Sequence, residues 1–159
     1  MKALRLGVLA WPVTRSASVA EFGRKLDFWL AQARGHADLC MLPEYACVEL
    51  GAALAGTTEP DDAQELAAMV AHADAILAAM RGAAMRAGLW LLPGTLPMWK
   101  GQRVVNAAPL IAPDGRMAMQ QKHILTRAKP AALSVQDGAR ISQAPCSTCA
   151  RACFGNSRS

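Results

Sequence analysis

Residues 37–45 read Ala-Asp-Leu-Cys-Met-Leu-Pro-Glu-Tyr, an apolar run that stops at Pro43-Glu44. A short run of this kind, Asp38 to Leu42, is the pattern of a strand buried in a sheet. Proline ends it, having no N–H to give a neighbouring strand. The chain thus sets a carboxylate, Glu44, at the end of a strand. Far downstream, Arg116 to Gln121 alternates and runs into Lys122-His123. A glutamate and a lysine at the ends of two strands can meet in one pocket, one as general base, the other as a cation facing a developing oxyanion.

The segments around these two runs complete a pattern. Leu4 to Val13 (LRLGVLAWPV) is apolar, ends at proline and reads as a buried strand. Ser18-Val19-Ala20-Glu21 has capping-box spacing. Phe22, Leu26, Trp29, Leu30 and Ala33 recur at helical intervals, with Arg24, Lys25, Asp27 and Arg34 off that face, and Gly35 is a stop. Gly51 to Glu59 reads as loop. Pro60, Asp61 and Asp62 suit a first helical turn, where acids face the positive end of the dipole. Leu66, Met69, Val70, Ala73, Ile76, Leu77, Met80 and Ala84 then predict one long helix to about Arg86, stopped by Gly88. Leu89 to Leu92 is a third strand, ending at Pro93-Gly94-Thr95. Val104 to Ala112, the turn signal Pro113-Asp114-Gly115 and Arg116 to Gln121 predict two strands joined by a tight turn. The order β-α-β-α-β-β-β places the chain in the α/β class.

The chain has 159 residues, 53% hydrophobic and 18% charged, enough for one domain with a buried core. No apolar run reaches the roughly 18 residues of a membrane span. The N-terminal apolar stretch holds Pro12, reaches Arg15 without a clear cleavage site, and reads as a strand rather than a signal peptide, so a cytoplasmic location is expected. Net charge is +5, of which residues 123–159 contribute +4. Those charges are scattered singly, with Phe154 the only aromatic residue near them, so neither nucleic acid nor membrane is an expected partner. Five cysteines, an odd count without a secretory signal, argue against a disulfide scaffold. Gly51 to Gly56 lacks the Lys-Ser/Thr of a phosphate-binding loop, and His36 and His72 read as surface residues.

Taken in order, Leu42-Pro43-Glu44-Tyr45, Pro93-Gly94-Thr95, Asn106 opening a strand that ends in Pro113-Asp114-Gly115, and Gln121-Lys122-His123-Ile124-Leu125-Thr126-Arg127 resemble the carbon–nitrogen hydrolase (nitrilase/amidase) superfamily. The resemblance covers about residues 4–127 and implies half of an α-β-β-α sandwich. It also implies a Glu-Lys-Cys triad that hydrolyses a small amide or nitrile. The cysteine thiolate attacks the carbon, the glutamate relays protons and the lysine stabilises the tetrahedral intermediate. Glu44 matches the glutamate and Lys122 the lysine. Neither a cofactor nor a metal is implied. The expected partners are the small-molecule amide or nitrile and, for the assembly, a second copy or a full-length homologue.

The match stops at the nucleophile. The family's cysteine follows an apolar strand and precedes an aromatic–acid pair. Cys146, Cys149 and Cys153 follow Gln143-Ala144-Pro145, Ser147-Thr148 and Ala150-Arg151-Ala152, and Cys153-Phe154-Gly155 lacks the acid. Cys40 reads as a buried strand residue; Cys47 lies near Glu44 but outside the motif. A second glutamate that many members hold beside the triad is also unmatched, because Ala128-Lys129-Pro130 follows Thr126-Arg127. The three tail thiols lack the fourth ligand of a zinc or iron–sulfur site. Residues 1–127 are therefore expected to form a partial hydrolase domain, and residues 128–159 a disordered, low-information tail. A shifted reading frame near codons 127–129 would produce this break, and impaired activity is the expectation. The rival expectation is a non-catalytic interaction protein that pairs with a complete homologue. Under the truncated reading an apolar sheet face and a sheet edge are expected to be exposed.

Overall fold

A computed structural model describes residues 3–122. The expected tail at 128–159, and the tail thiols with it, lie outside the described residues. Six strands and four α-helices follow in order: β1 (Leu6–Val8), α1 (Val19–Ala33), β2 (Leu39–Met41), α2 (Gly51–Ala55), α3 (Asp62–Ala71), α4 (Ala73–Ala87), β3 (Trp90–Leu92), β4 (Leu96–Lys100), β5 (Arg103–Ile111) and β6 (Met117–Gln121). A short 3-10 helix, Ala46–Leu50, leads into α2. The architecture is α/β, as the alternating pattern predicts.

β1, β2 and β3 are parallel, with Gly7, Cys40 and Leu91 in register. β5 is long enough to meet three strands. Leu91 of β3 pairs with Ile111, and Leu96 of β4 pairs with Ala107, so β3 and β4 lie end to end along one side of β5, bent at Pro93-Gly94-Thr95. β6 lies antiparallel along the other side. Strand β4 has no counterpart in the sequence reading. Its Pro97 is tolerated because, among the described residues, β4 pairs with β5 alone.

Ser18 caps α1, its hydroxyl accepting from Glu21 N, while Glu21 Oε2 accepts from Ala17 N. The reciprocal pair of the capping box is therefore present, shifted by one residue at its return bond. α1 buries Phe22, Leu26 and Leu30; α4 buries Ile76, Met80, Ala83 and Ala84. Both stripes pack over Cys40, Leu91 and Ile111, all fully buried in the sheet. Each large side chain fully buried there contributes roughly 1.5–3 kcal/mol.

Three expectations are corrected. The single helix predicted from Pro60 is two helices, bent by 64°. The break is at His72, whose ring Nδ1 lies 2.8 Å from Ala68 O and whose backbone departs from helical values. The imidazole competes for a carbonyl of the ladder, a recognised cause of kinks. The predicted loop 51–59 begins with the five-residue helix α2. The strand predicted over Leu4 to Val13 forms only at Leu6–Val8, and it is not buried: Leu6 is 58% and Val8 78% exposed.

That exposure follows from the register. Side chains alternate across a sheet, so with Cys40 and Leu91 facing the helices, Leu6, Val8, Leu39, Met41, Trp90 and Leu92 share the opposite face. All six are exposed or half-buried. Across β1–β3 the sheet has one face covered by helices and one apolar face bare among the described residues, as the sequence reading anticipates, whereas Val104 and Asn106 of β5 are buried on the side away from the helices.

Candidate active site

Glu44 owes its place to a close backbone approach. Leu42 N donates to Leu92 O at 2.9 Å, continuing the β2–β3 ladder one step past β2. Pro43 then crosses the bend at Gly94, which has φ +82°. A β-carbon on Gly94 would overlap Pro43 O and lie 3.5 Å from Glu44 Cα. Only glycine lets the two turns nest.

The next residue is under strain. Tyr45 has φ 55°, the one non-glycine residue at positive φ among the described residues. The left-handed conformation costs an ordinary residue roughly 1–2 kcal/mol. It turns the chain directly from Glu44 into the 3-10 helix, with Val48 N donating to Tyr45 O at 2.8 Å. Such outliers cluster at functional sites.

Lys122 follows β6, and its main-chain N–H donates to Asn106 O at 2.7 Å. Its Nζ lies 2.6 Å from Glu44 Oε1. The two expected site residues, one after β2 and one after β6, are therefore brought together as an ion pair. The Glu44 side chain is 51% and the Lys122 side chain 27% exposed, so the pair sits at the surface of the described residues. Asn106 is 1% exposed, and its Nδ2 donates to the same Glu44 Oε1 at 3.4 Å. The sequence marks Asn106 as the opening of an apolar strand within the family-like set of residues; its contact with Glu44 carries no spacing signal.

Among the described residues no cysteine joins this group. Cys47, the cysteine nearest to Glu44 in sequence, is buried, and its thiol donates to Thr95 O at 3.6 Å. Burial, with a small contribution from Glu49, pushes that thiol up to about 12, so it stays protonated at neutral pH. Cys40 is buried beneath the helices, which pushes its thiol up as well. Burial pushes the Tyr45 phenol up to about 12, with the neighbouring Glu44 charge adding to it. Among the described residues no group of three or more His, Cys, Asp or Glu could hold a metal ion.

A second polar cluster braces the segment after Glu44. The Glu49 carboxylate, on the 3-10 helix, is buried. Its Oε2 accepts from Lys25 Nζ at 2.6 Å, Trp11 Nε1 at 3.2 Å and Thr14 N at 3.3 Å; its Oε1 accepts from Ser16 Oγ at 2.6 Å. Lys25 also lies 4.3 Å from the Trp11 ring centroid and donates to Pro12 O and Thr14 Oγ1. The sequence places Lys25 off the apolar face of its helix, on the solvated side. Instead it turns its ammonium inward to a carboxylate 24 residues away. The cluster ties the loop after β1 and helix α1 to the turn that carries Glu44.

No family model and no curated protein matches this sequence. Solved structures do. An amidase from Nesterenkonia sp. AN1, a mutant in complex with butyramide, superposes with a TM-score of 0.62 at 20% identity over 86% of this chain and 49% of its own. XC1258 from Xanthomonas campestris, a CN-hydrolase superfamily protein with an arsenic adduct in its active site, gives 0.56 at 22% identity, over 79% and 43%. A carbon–nitrogen hydrolase from Helicobacter pylori G27 gives 0.55 at 15% identity, over 77% and 40%. The chain spans about half the length of these structures or less. At such identities the likeness is one of fold: this chain has the fold of part of a nitrilase-superfamily hydrolase.

Proposed function

We propose that residues 3–122 carry the glutamate–lysine half of a carbon–nitrogen hydrolase site, acting on a small amide or nitrile in the cytoplasm. The observation that carries this reading is the 2.6 Å pair between Glu44 and Lys122 at the ends of two strands. The likeness in fold to amidases, one of which has been seen with acrylamide added at its active-site cysteine, supports it.

In this reading a thiol completes the site. Its proton passes to Glu44 as the sulfur bonds to the amide carbon. The carbonyl oxygen becomes an oxyanion facing the Lys122 ammonium. The proton then goes to the leaving nitrogen, ammonia departs, and water hydrolyses the thioester and frees the thiol. Neither Cys40, buried beneath the helices, nor Cys47, buried with its thiol donating to Thr95 O, is placed to pass a proton to Glu44 or to meet a substrate. The nucleophile therefore belongs outside residues 3–122. The tail cysteines stand in the wrong sequence context, so the 159-residue chain is impaired, its frame shifted after about residue 127.

The test has two arms. Ammonia release from butyramide is measured for the 159-residue chain, and the expected result is none. The DNA beyond the Lys122 codon is translated in the other frames, which are expected to encode an apolar strand ending in Cys-Tyr/Trp-Asp/Glu. The protein made from the restored frame is expected to release ammonia, with release lost in Glu44→Gln and Lys122→Met. Turnover that survives Glu44→Gln overturns the reading.

The bare apolar sheet face favours a second reading, a non-catalytic protein that pairs with a second copy or a complete homologue. Absence of an alternative frame, together with co-purification of a full-length hydrolase, would support that reading over the first.

A further inference from the structure

We propose that Asn106 is the positioning residue of the Glu44–Lys122 pair, holding both members at once and deciding which oxygen of Glu44 is free to take a proton. Its backbone carbonyl accepts from Lys122 N at 2.7 Å, which extends the β5–β6 ladder one step and places Lys122 opposite it. Its side-chain Nδ2 donates to Glu44 Oε1 at 3.4 Å. Lys122 Nζ reaches that same oxygen at 2.6 Å. Two donors thus converge on Oε1, and among the described residues none reaches Oε2.

The surroundings make a packing role a poor account of this side chain. Asn106 lies in register with Pro97 of β4 and is almost wholly buried. A primary amide buried there loses its hydration, and an apolar residue of the same volume would fill the space without that cost. What the amide supplies is a fixed, uncharged donor. A second cation in its place would compete with Lys122 for Glu44, and a carboxylate would repel it. Alternation along β5 puts Asn106 on the face opposite Ile111, away from the helices and on the side where Lys122 emerges. One residue therefore tethers both ends of a pair separated by 78 residues of sequence.

The consequence is geometric. A carboxylate held at Oε1 by an amide and an ammonium cannot rotate freely about its terminal torsion. Oε2 is then left as the basic atom, and the ammonium stays beside it rather than swinging into solvent. This inference rests on reading Glu44 and Lys122 as the polar half of the hydrolase site, but its test does not require turnover.

The test is the rate at which each lysine of the intact 159-residue chain is acylated by a mild amine-directed reagent, read by mass spectrometry. Lys100 is the exposed reference and Lys25, paired with buried Glu49, reports general loosening. In the unaltered chain Lys122 is expected to react more slowly than Lys100. Asn106→Leu, of nearly the same volume but without the donor, is expected to raise the Lys122 rate about threefold or more while Lys25 is unchanged. Glu44→Gln is expected to raise it to the same level. The double variant is expected to add nothing, because Asn106 acts through Glu44. Asn106→Ala provides the same measurement if the leucine variant does not fold. An unchanged Lys122 rate, an additive double variant, or a rise shared by Lys25 each overturns the proposal. Loss of the hydrolase reading with this labelling pattern intact would sink the function and leave the positioning role standing.

Discussion

Pro43 and Gly94 meet backbone to backbone: the Pro43 carbonyl oxygen occupies space that any β-carbon on residue 94 would need. The strand that delivers Glu44 and the bend between β3 and β4 are thereby locked together. Gly94→Ala adds that β-carbon at a left-handed φ of +82°. Overpacking and backbone strain together should destabilise the fold by about 2–4 kcal/mol. Urea melts would read the loss, and lysine labelling would read release of Lys122 from Glu44. A variant as stable as the parent would show that the two turns can part without cost.

The Glu49 cluster should be worth more to stability than any surface pair. Glu49 is wholly buried and takes four hydrogen bonds. Glu49→Ala leaves the Lys25 ammonium among Trp11, Pro12 and Thr14 without its counter-charge, and losing one partner of a buried pair costs about 3–5 kcal/mol. By contrast Arg86→Ala, which breaks an exposed pair with Asp27, should cost no more than about 1 kcal/mol. Thermal melts of the two variants should differ in that order.

Stability should fall in alkali through two groups beside the site. The Cys47 thiol rises from 9.0 to about 12 and the Tyr45 phenol from 10.0 to about 12 on folding. Both are neutral acids whose folded pKa is raised. Their contribution is complete below the unfolded values and is lost as pH climbs from about 9 towards 12, because the unfolded chain releases the protons first. Urea midpoints measured from pH 8 to pH 11 should decline, and Cys47→Ala should flatten the early part of that decline. An equal slope in the variant would remove Cys47 from the account.

The bare sheet face predicts self-association. Val8 on the edge strand β1 is 78% exposed and faces away from the helices. Val8→Lys should keep the chain monodisperse to higher concentration by light scattering, since a charge on an edge strand opposes pairing. Its stability should change by no more than about 0.5 kcal/mol, as for other surface substitutions. A monomeric parent at all concentrations would contradict this.

Strand and helix order was legible because the apolar runs are short, separated by Pro or Gly, and of two clear periods. That Glu44 and Lys122 stand just past two strands was legible as well, from Pro43 closing one run and from the turn and alternation that lead into the other. The kink at His72 was not, because it depends on a ring nitrogen reaching Ala68 O rather than on the stripe, which continues unbroken through it. The Lys25–Glu49 pair was hidden because helical periodicity assigns a long cation to the solvated side, whereas its flexible stem lets the charge turn inward. The short, exposed β1 was misread because apolar content alone cannot say whether a second layer covers a strand.

The helix-covered side of the sheet has its core among α1, α3, α4, the 3-10 helix and the strands they cover. This half can therefore condense during synthesis, as soon as β6 has cleared the ribosome, on contacts it already possesses. The apolar face is then a finished surface rather than a molten one. Any layer laid on it later, from the same chain or another, docks onto a template whose register is already set.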